Sequence, residues 1–216
     1  MNNIMRTTPP VVKNLIIANC VALLATSLLP FGDLIIEHFA LFNIESPYFR
    51  SYQVFTYMFL HGGWSHLFFN MFALWMFGRT LEWRLGSQRF LTYYMICGIG
   101  AALLQLGVGY AEYQHALAAT GNLAYRLLGV PTVGASGAVY GLLLAFGVLY
   151  PNQMIMLIFP PIALKAKWFV VIYGLLELFF GLSGYQQGVA HFAHLGGMIW
   201  GFALLWWWRK RHKIFF

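Results

Sequence analysis

Charged residues are scarce in this chain. Only 9% of its 216 residues are Asp, Glu, Lys or Arg, and 60% are hydrophobic, whereas about a quarter of the residues in soluble domains are charged. This scarcity excludes an ordinary soluble domain and indicates a chain that lies mostly in lipid. The sequence also lacks internal repeats and low-complexity tracts, so we expect one membrane domain over residues 1–216.

Cysteine and aspartate are almost absent. The two cysteines, Cys20 and Cys97, lie in apolar runs, so we expect no disulfide and infer nothing about the redox compartment. Asp33 is the single aspartate, and the sequence contains no His-Glu-x-x-His motif. Aspartyl intramembrane proteases need two aspartates within the membrane, and zinc-dependent ones need that histidine motif. Both of these classes are therefore excluded.

Long apolar runs dominate what is present. Six of them have roughly the 17 to 25 residues of a membrane-spanning helix, although two are short. The first run follows Lys13 as a signal peptide would, but it has no small-x-small cleavage site, so we expect a retained span. The pattern predicts an all-α, multi-pass membrane protein with six transmembrane helices. The runs lie at about 14–30, 65–81, 90–110, 133–150, 168–183 and 189–208.

The connections between the runs differ in character. Residues 31–63 are rich in aromatic side chains and carry several charges, so they are too polar to span a bilayer and too apolar for a free loop. We expect a long interfacial first connection that is partly helical and lies on the bilayer. We also expect a polar link over residues 111–131 and a short apolar loop over residues 154–166.

The net charge of +7 is unevenly distributed. With a cytoplasmic N-terminus, Arg50 and Arg126 lie outside and the other eleven of the 13 basic residues lie inside, which satisfies the positive-inside rule with both termini in the cytoplasm. The basic excess is therefore a topology signal, and we expect contact with the lipid bilayer and not with nucleic acid. The eleven are Arg6, Lys13, Arg79, Arg84, Arg89, Lys165, Lys167, Arg209, Lys210, Arg211 and Lys213.

A single serine lies in the small-residue segment 134–141, Gly-Ala-Ser-Gly-Ala-Val-Tyr-Gly. Alone, this segment is typical of a packing helix whose serine bonds its own backbone. However, the predicted topology places Ser136 and His194 within about 10 Å of the outer membrane surface, because the fourth and sixth spans both enter from that side. A hydroxyl and an imidazole at one depth, out of water, suggest a nucleophile and its general base.

Two more polar residues share this depth. His66 and Asn70 lie one turn apart at the outer end of the second span, and polar groups within membranes are usually functional. They could donate hydrogen bonds to an oxyanion together with the backbone N–H of Ser136. The alternative is that they only tie the first connection to the helix ends.

Several neighbours are expected to support the pair. Tyr140, one turn from Ser136, can stack on the imidazole. We expect two close-approach pairs of glycines, Gly137 with Gly141 and Gly197 with Gly201, to face each other and bring the two helices together. A further glycine, Gly134, lies two residues before the serine.

The roles of three further ionisable residues are open. Glu177 is the only acid in the fifth span; it could orient His194, but a structural carboxyl is the interpretation we favour, which leaves a Ser-His dyad. His61 is expected to pin the first connection, and His191 to line a water-accessible mouth.

Over nearly its whole length the chain resembles the rhomboid intramembrane serine proteases of the basic six-helix bacterial type. The resemblance implies that Ser136 is the nucleophile, His194 the base, and His66 and Asn70 the oxyanion donors. It also implies a brace formed by Glu82 and Arg84 at the cytoplasmic end. The matching segments are 66–70 (His-Leu-Phe-Phe-Asn), 82–84 (Glu-Trp-Arg), 134–140 (Gly-Ala-Ser-Gly-Ala-Val-Tyr) and 193–197 (Ala-His-Leu-Gly-Gly).

One departure concerns the first connection, where many members carry Trp-Arg and this chain has Tyr52-Gln53. The departure puts the anchoring of this connection in question. The catalytic positions are all filled.

The resemblance implies a rhomboid-like six-helix bundle in the bacterial inner membrane. Such a hydrolase performs proteolysis on transmembrane protein substrates near the outer face, and we expect neither a cofactor nor a metal. The alternative is a metal-ion transporter or metal-binding membrane protein. In that case His61, His66, His191 and His194 would cluster at the outer face, because imidazole suits Zn²⁺.

Overall fold

The computed structural model describes residues 8–156, 161–183 and 189–211, so Arg6 and Lys213 lie outside the described residues. Most of the described chain is helical, as the apolar runs predict. The helices are α1 (Pro10–Leu28), α2 (Gly32–Phe39), α3 (Gln53–Thr56), α4 (Trp64–Ala73), α5 (Arg79–Leu85), α6 (Ser87–Thr120), α7 (Ser136–Leu149), α8 (Ala166–Ser183) and α9 (His191–Lys210). Short 3₁₀ segments at Tyr57–Phe59 and Gly121–Gly129 follow α3 and α6.

Each of the six apolar runs coincides with helix. Within the described part of the chain, three helices, α1, α6 and α8, are both long and apolar enough to cross a membrane. Helix α7 is apolar but only 14 residues long, and the 20-residue α9 carries two histidines and four tryptophans that lower its mean hydropathy. The second run is a continuous helical stretch in which a π-helical segment, Leu74–Gly78, joins α4 to α5.

Two connections differ from the sequence expectation. The predicted polar link from residue 111 is helical as far as Thr120, because its alanines, glutamine and glutamate are strong helix formers. Helix α6 therefore has 34 residues and is about 50 Å long. The predicted loop over 154–166 contains a small antiparallel hairpin of β1 (Met154–Met156) and β2 (Ala163–Lys165), so the fold is not purely helical.

The first connection is partly helical and is fixed from within by Gln53, whose side chain is fully buried. Its amide oxygen accepts hydrogen bonds from the backbone N–H groups of Phe42 at 3.4 Å and Arg50 at 3.2 Å. Its amide nitrogen donates to the carbonyls of His38 and Tyr48. The residue that departs from the rhomboid pattern thus anchors the connection itself.

Glu82 fixes the start of α1. Its carboxylate accepts the N–H groups of Val11 at 3.0 Å and Val12 at 2.8 Å, and the hydroxyl of Ser87 donates to it at 2.7 Å. The first N–H groups of a helix lack acceptors within the helix, so a buried carboxylate at this position satisfies them. Glu82 accordingly joins α1 to the junction between α5 and α6.

The centre of the bundle is formed by α6, α7 and α9, which meet at glycines. A Cβ atom on Gly197 would collide with the carbonyl oxygen of Gly137, so α7 and α9 lie in backbone contact there. Gly141 also faces the Gly197 carbonyl, as well as the Cys97 thiol. The expected pairing is wrong for Gly201, which faces Tyr93 and Cys97 of α6 and not α7.

Large apolar side chains cover the outside of the bundle. On α1, Ile17, Val21, Leu24 and Leu28 recur every three or four residues and are all exposed, which gives one continuous apolar face. Exposed leucines and phenylalanines likewise cover α8 and α4. An apolar exterior of this kind matches a lipid environment. Both cysteines, Cys20 and Cys97, are free thiols.

Candidate active site

Ser136 is the first residue of α7. The chain enters this position through Gly134, whose φ of 130° is rarely adopted by residues with a side chain. The Gly134 N–H donates to the Tyr57 carbonyl at 3.0 Å, and a β-bridge joins Thr132 to Leu41. The first connection thereby fixes the approach to Ser136, which lies at the helix end where the first N–H groups lack acceptors within the helix.

His194 lies in the first turn of α9, 58 residues away in sequence, and is buried. Its Nε2 atom is 2.8 Å from the Oγ atom of Ser136. The Tyr140 ring stacks on the imidazole, with the ring centres 4.2 Å apart and the planes 5° from parallel. The structure therefore brings together the three residues that sequence analysis placed on two separate spans.

A buried carboxylate completes this group. Glu177 of α8 accepts a short hydrogen bond from the Tyr140 hydroxyl on Oε1. Its Oε2 atom lies 2.6 Å from Nδ1 of His191 and 2.9 Å from Nδ1 of His194. The second distance is that of an ion pair, but the His194 N–H does not point along a hydrogen-bond direction. A carboxylate on this side favours the tautomer with the proton on Nδ1, which leaves Nε2 to accept the Ser136 proton.

Sequence analysis raised a contact between Glu177 and His194 as one alternative, but it missed the contacts of Glu177 with Tyr140 and His191. It favoured a structural role for Glu177 and placed His191 at a water-accessible mouth, whereas His191 is buried and bound to Glu177. The available signal was the presence of one acid and two histidines in apolar helices, because such groups are costly in lipid unless they pair.

The predicted oxyanion donors lie on α4. The Nδ1 atom of His66 accepts the Gly62 N–H at 3.3 Å, so in the neutral ring Nε2 carries the proton and is free to donate. A Cβ atom on Gly134 would lie 2.9 Å from this Nε2 atom and 3.6 Å from the Ser136 hydroxyl. Asn70 uses one amide hydrogen to bind the His66 carbonyl at 2.9 Å, and its second amide hydrogen remains for another acceptor.

Residues 48–211 match the model of the Rhomboid domain. The chain belongs to the rhomboid family.

Curated relatives agree with this assignment. The rhomboid chain is 33% identical to the rhomboid protease AarA of Providencia stuartii over 67% of its own length and 51% of that protein. It is 32% identical to the mitochondrial Rhomboid protein 1 of Saccharomyces cerevisiae over 68% of this chain and 39% of that protein. Rhomboid protease GluP of Bacillus subtilis is 30% identical over 70% of this chain and 25% of its own length. The aligned part thus spans from a quarter to about half of these relatives.

The rhomboid domain and the apolar helices identify an integral membrane protein. The match contains all the motifs on which the resemblance rests, and it begins within the first connection, so α1 and α2 lie before it.

The four histidines of the metal-binding alternative do not all belong to one group of possible ligands among the described residues. In the described ranges, the group with suitable atoms within 4.8 Å of one another is Glu177, His191 and His194. Ligands of a tetrahedral Zn²⁺ at about 2.0–2.1 Å would be roughly 3.3 Å apart. The 2.6 Å and 2.9 Å separations are shorter and correspond to direct contacts between the side chains.

His61 lies beside the other end of the site. Its ring is buried and packs edge-on against His66, with the ring centres 5.1 Å apart. Neither ring nitrogen has a hydrogen-bond partner among the described residues. Burial, and secondly the neighbouring His66, lower the pKa of His61 to about 4, against a weaker opposite effect of the Phe59 carbonyl. His61 is therefore a neutral, buried ring at physiological pH.

Proposed function

We propose that this chain is a serine-type intramembrane endopeptidase that cleaves the transmembrane segments of other membrane proteins. The observation that carries the proposal is the 2.8 Å contact between Ser136 Oγ and His194 Nε2 within a rhomboid domain. A neutral imidazole at this distance is within reach of the hydroxyl proton.

The reaction follows from this contact. Ser136 Oγ attacks the scissile carbonyl carbon while its proton passes to His194 Nε2, and the imidazolium then protonates the leaving amine. An acyl-enzyme remains on Ser136. Water, deprotonated by the same imidazole, hydrolyses this ester and restores the hydroxyl.

The tetrahedral intermediate carries an oxyanion that needs donors. We assign this role to His66 Nε2–H, the second amide hydrogen of Asn70 and the backbone N–H of Ser136. The position of Ser136 at a helix N-terminus supports the assignment, because the helix dipole favours negative charge there. The packing of His66 against Gly134, beside the Ser136 hydroxyl, supports it as well.

We further propose six membrane spans, cytoplasmic termini and a site near the outer face of a bacterial inner membrane. Helix α9 supports this arrangement. It has His194 in its first turn and Arg209 and Lys210 in its last, about 24 Å apart at 1.5 Å per residue. Lys210 lies over the Trp206 ring at 3.8 Å, and such pairs of basic and aromatic residues are typical of the membrane interface.

The decisive experiment is reconstitution in liposomes with a single-pass model substrate. The wild-type chain should cleave the substrate near its outer end and react with a fluorophosphonate probe. Ser136→Ala and His194→Ala should both abolish cleavage. Ser136→Ala should retain the wild-type melting temperature, because it removes a single oxygen atom. His194→Ala should fold with a lower melting temperature, because it removes a buried imidazole that stacks on Tyr140 and contacts Glu177. Cleavage by Ser136→Ala at the wild-type rate would refute the proposal. A metal transporter would not react with the probe at all.

A further inference from the structure

Glu177 lies in an apolar helix, α8, where a charged group is costly unless it is paired. Its carboxylate is buried, and its partners are the side chains of Tyr140, His191 and His194. None of these partners is a basic side chain of the Lys or Arg type. Among the described residues, the polar contacts of the carboxylate are thus all with groups of the candidate active site.

Tyr140, Glu177 and His194, the general base, all contact one another. Tyr140 donates to one oxygen of Glu177, and its ring stacks on His194. The other oxygen faces Nδ1 of His194, on the opposite edge of the imidazole from Ser136. Rotation of the imidazole would break the stacking, the Ser136 contact and the carboxylate contact together.

We propose that Glu177 is the positioning residue of a Ser136–His194–Glu177 triad in this chain. The inference rests on the proposed protease function and adds a third member to its dyad. Glu177 keeps the Nδ1 proton on His194, holds the ring plane, and stabilises the imidazolium that forms when Nε2 takes the Ser136 proton. Glu177 itself remains ionised, and the proton passes from Ser136 to His194 and then to the leaving amine.

His191 and Tyr140 fix the carboxylate. The 2.6 Å contact to His191 Nδ1 and the Tyr140 hydroxyl bond occupy the two oxygens from two different helices, α9 and α7. Among the described residues, the other titratable group that interacts electrostatically with His194 is His66 of α4, which lies against Gly134. Among the described groups, only Glu177 can supply negative charge to the imidazolium.

The alternative role for Glu177 is structural: its contacts would merely hold α8 against α7 and α9. Glu177→Gln separates the two roles. The amide keeps the volume and can accept the Tyr140 bond, but it has no charge, and its NH₂ group facing Nδ1 favours the wrong imidazole tautomer. A positioning role predicts a lower kcat with unchanged KM, whereas loosening of α8 predicts a changed KM and a lower melting temperature.

The test uses the full chain in liposomes, with kcat, KM, fluorophosphonate labelling rate and melting temperature measured for each variant. Glu177→Gln should lower kcat on the order of 10²- to 10⁴-fold and slow labelling of Ser136 as well, with KM within about threefold of wild type. Glu177→Asp, which keeps the charge on a shorter side chain, should recover part of kcat. The matched control is Glu112→Gln, since Glu112 is an exposed glutamate of α6; it should behave as wild type.

Wild-type kcat in Glu177→Gln would overturn the triad. So would a raised KM at unchanged kcat. If Glu177→Gln does not fold, Glu177→Asp decides: a folded variant with no more activity than Ser136→Ala would also overturn it. The proposed function fails separately, because in that case the wild-type chain does not cleave or Ser136→Ala does.

Discussion

At the scale of single residues, the candidate site contains few polar side chains, and the contacts of its two histidines, His194 and His66, determine what each ring nitrogen can do. His194 has Ser136 on one nitrogen, a carboxylate on the other and an aromatic ring on its face. His66 accepts a backbone N–H on one nitrogen and presents the other towards Gly134. Each imidazole therefore has a defined tautomer, and a defined tautomer determines which nitrogen accepts a proton and which donates.

The oxyanion assignment gives a graded prediction. Loss of one oxyanion donor typically lowers the rate on the order of 10²- to 10³-fold, so Asn70→Ala and His66→Ala should each lower kcat by about that factor without abolishing cleavage. Initial rates in liposomes measure the effect. Full turnover in both variants, with normal membrane insertion, would show that His66 and Asn70 only tie the first connection to α4.

His61 gives a pH prediction. Its pKa falls from 6.5 to about 4 on folding, so below pH 6.5 the unfolded chain takes up a proton that the folded chain does not. This lowers the free energy of unfolding as the pH falls from 6.5 to about 4, by up to about 3 kcal/mol, and leaves the stability unaffected above pH 6.5. The measurement is thermal unfolding in detergent across this range.

His61→Phe is the matched variant for this effect, because a phenyl ring fills a similar buried volume without titrating. Its melting temperature should fall less than that of wild type between pH 6.5 and pH 4. Parallel pH curves for the two proteins would contradict the assignment of a neutral, buried His61.

At the scale of helices, backbone contact between α7 and α9 determines whether Ser136 and His194 can meet. Gly197 faces the carbonyl of Gly137, one residue after Ser136, so any side chain there must push the helices apart. Gly201 contacts α6 and is not part of this approach. The two glycines of this Gly-x-x-x-Gly pair thus face different neighbours. Four residues correspond to slightly more than one helical turn, so Gly201 is rotated relative to Gly197 and lies against α6, the third helix of the contact.

The Gly197 contact predicts that a larger side chain at this position lowers the cleavage rate strongly while the protein still folds. Gly197→Val should separate Ser136 from His194, and a shift of about 1 Å can lower the rate on the order of 10²-fold. Gly107→Ala is a suitable control, since a Cβ atom at Gly107 meets nothing within 4 Å. Cleavage rate and melting temperature are measured together. Wild-type values of both in Gly197→Val would show that this glycine does not set the approach.

At the scale of the whole molecule, periodicity and charge predict which segments are helical and which polar groups share a depth. They cannot predict rotation about helix axes. Glu177 and His191 are 14 residues apart on different helices, and their contact depends on which faces α8 and α9 present to each other. The sequence did not predict how far α6 extends, because hydropathy identifies residues that are compatible with lipid and not the residues at which a helix ends. It did not predict the π-helical segment in the second run either, because hydropathy carries no information about the hydrogen-bond pattern within a helix.

The substrate prediction also belongs to this scale. A peptide bond within a helix is shielded, and unwinding it in lipid exposes backbone groups at several kcal/mol each. We therefore expect preference for segments with Gly, Pro or polar residues near the outer end of the span and a small residue before the cut. Replacing these residues by Leu should slow cleavage strongly, as measured by the initial rate of product formation. Equally fast cleavage of an uninterrupted poly-Leu span would refute the unwinding argument.

The Glu82 contact with the start of α1 has a consequence for the limits of the folding unit. The family match begins at residue 48, but the carboxylate inside it is satisfied by the N–H groups of Val11 and Val12. A fragment trimmed to the matched residues would lose these two of the three donors to the buried carboxylate, and leaving a buried polar group without its partners costs on the order of 1–3 kcal/mol. We therefore expect the smallest piece of this chain that folds by itself to be longer than its recognisable family signature and to include α1.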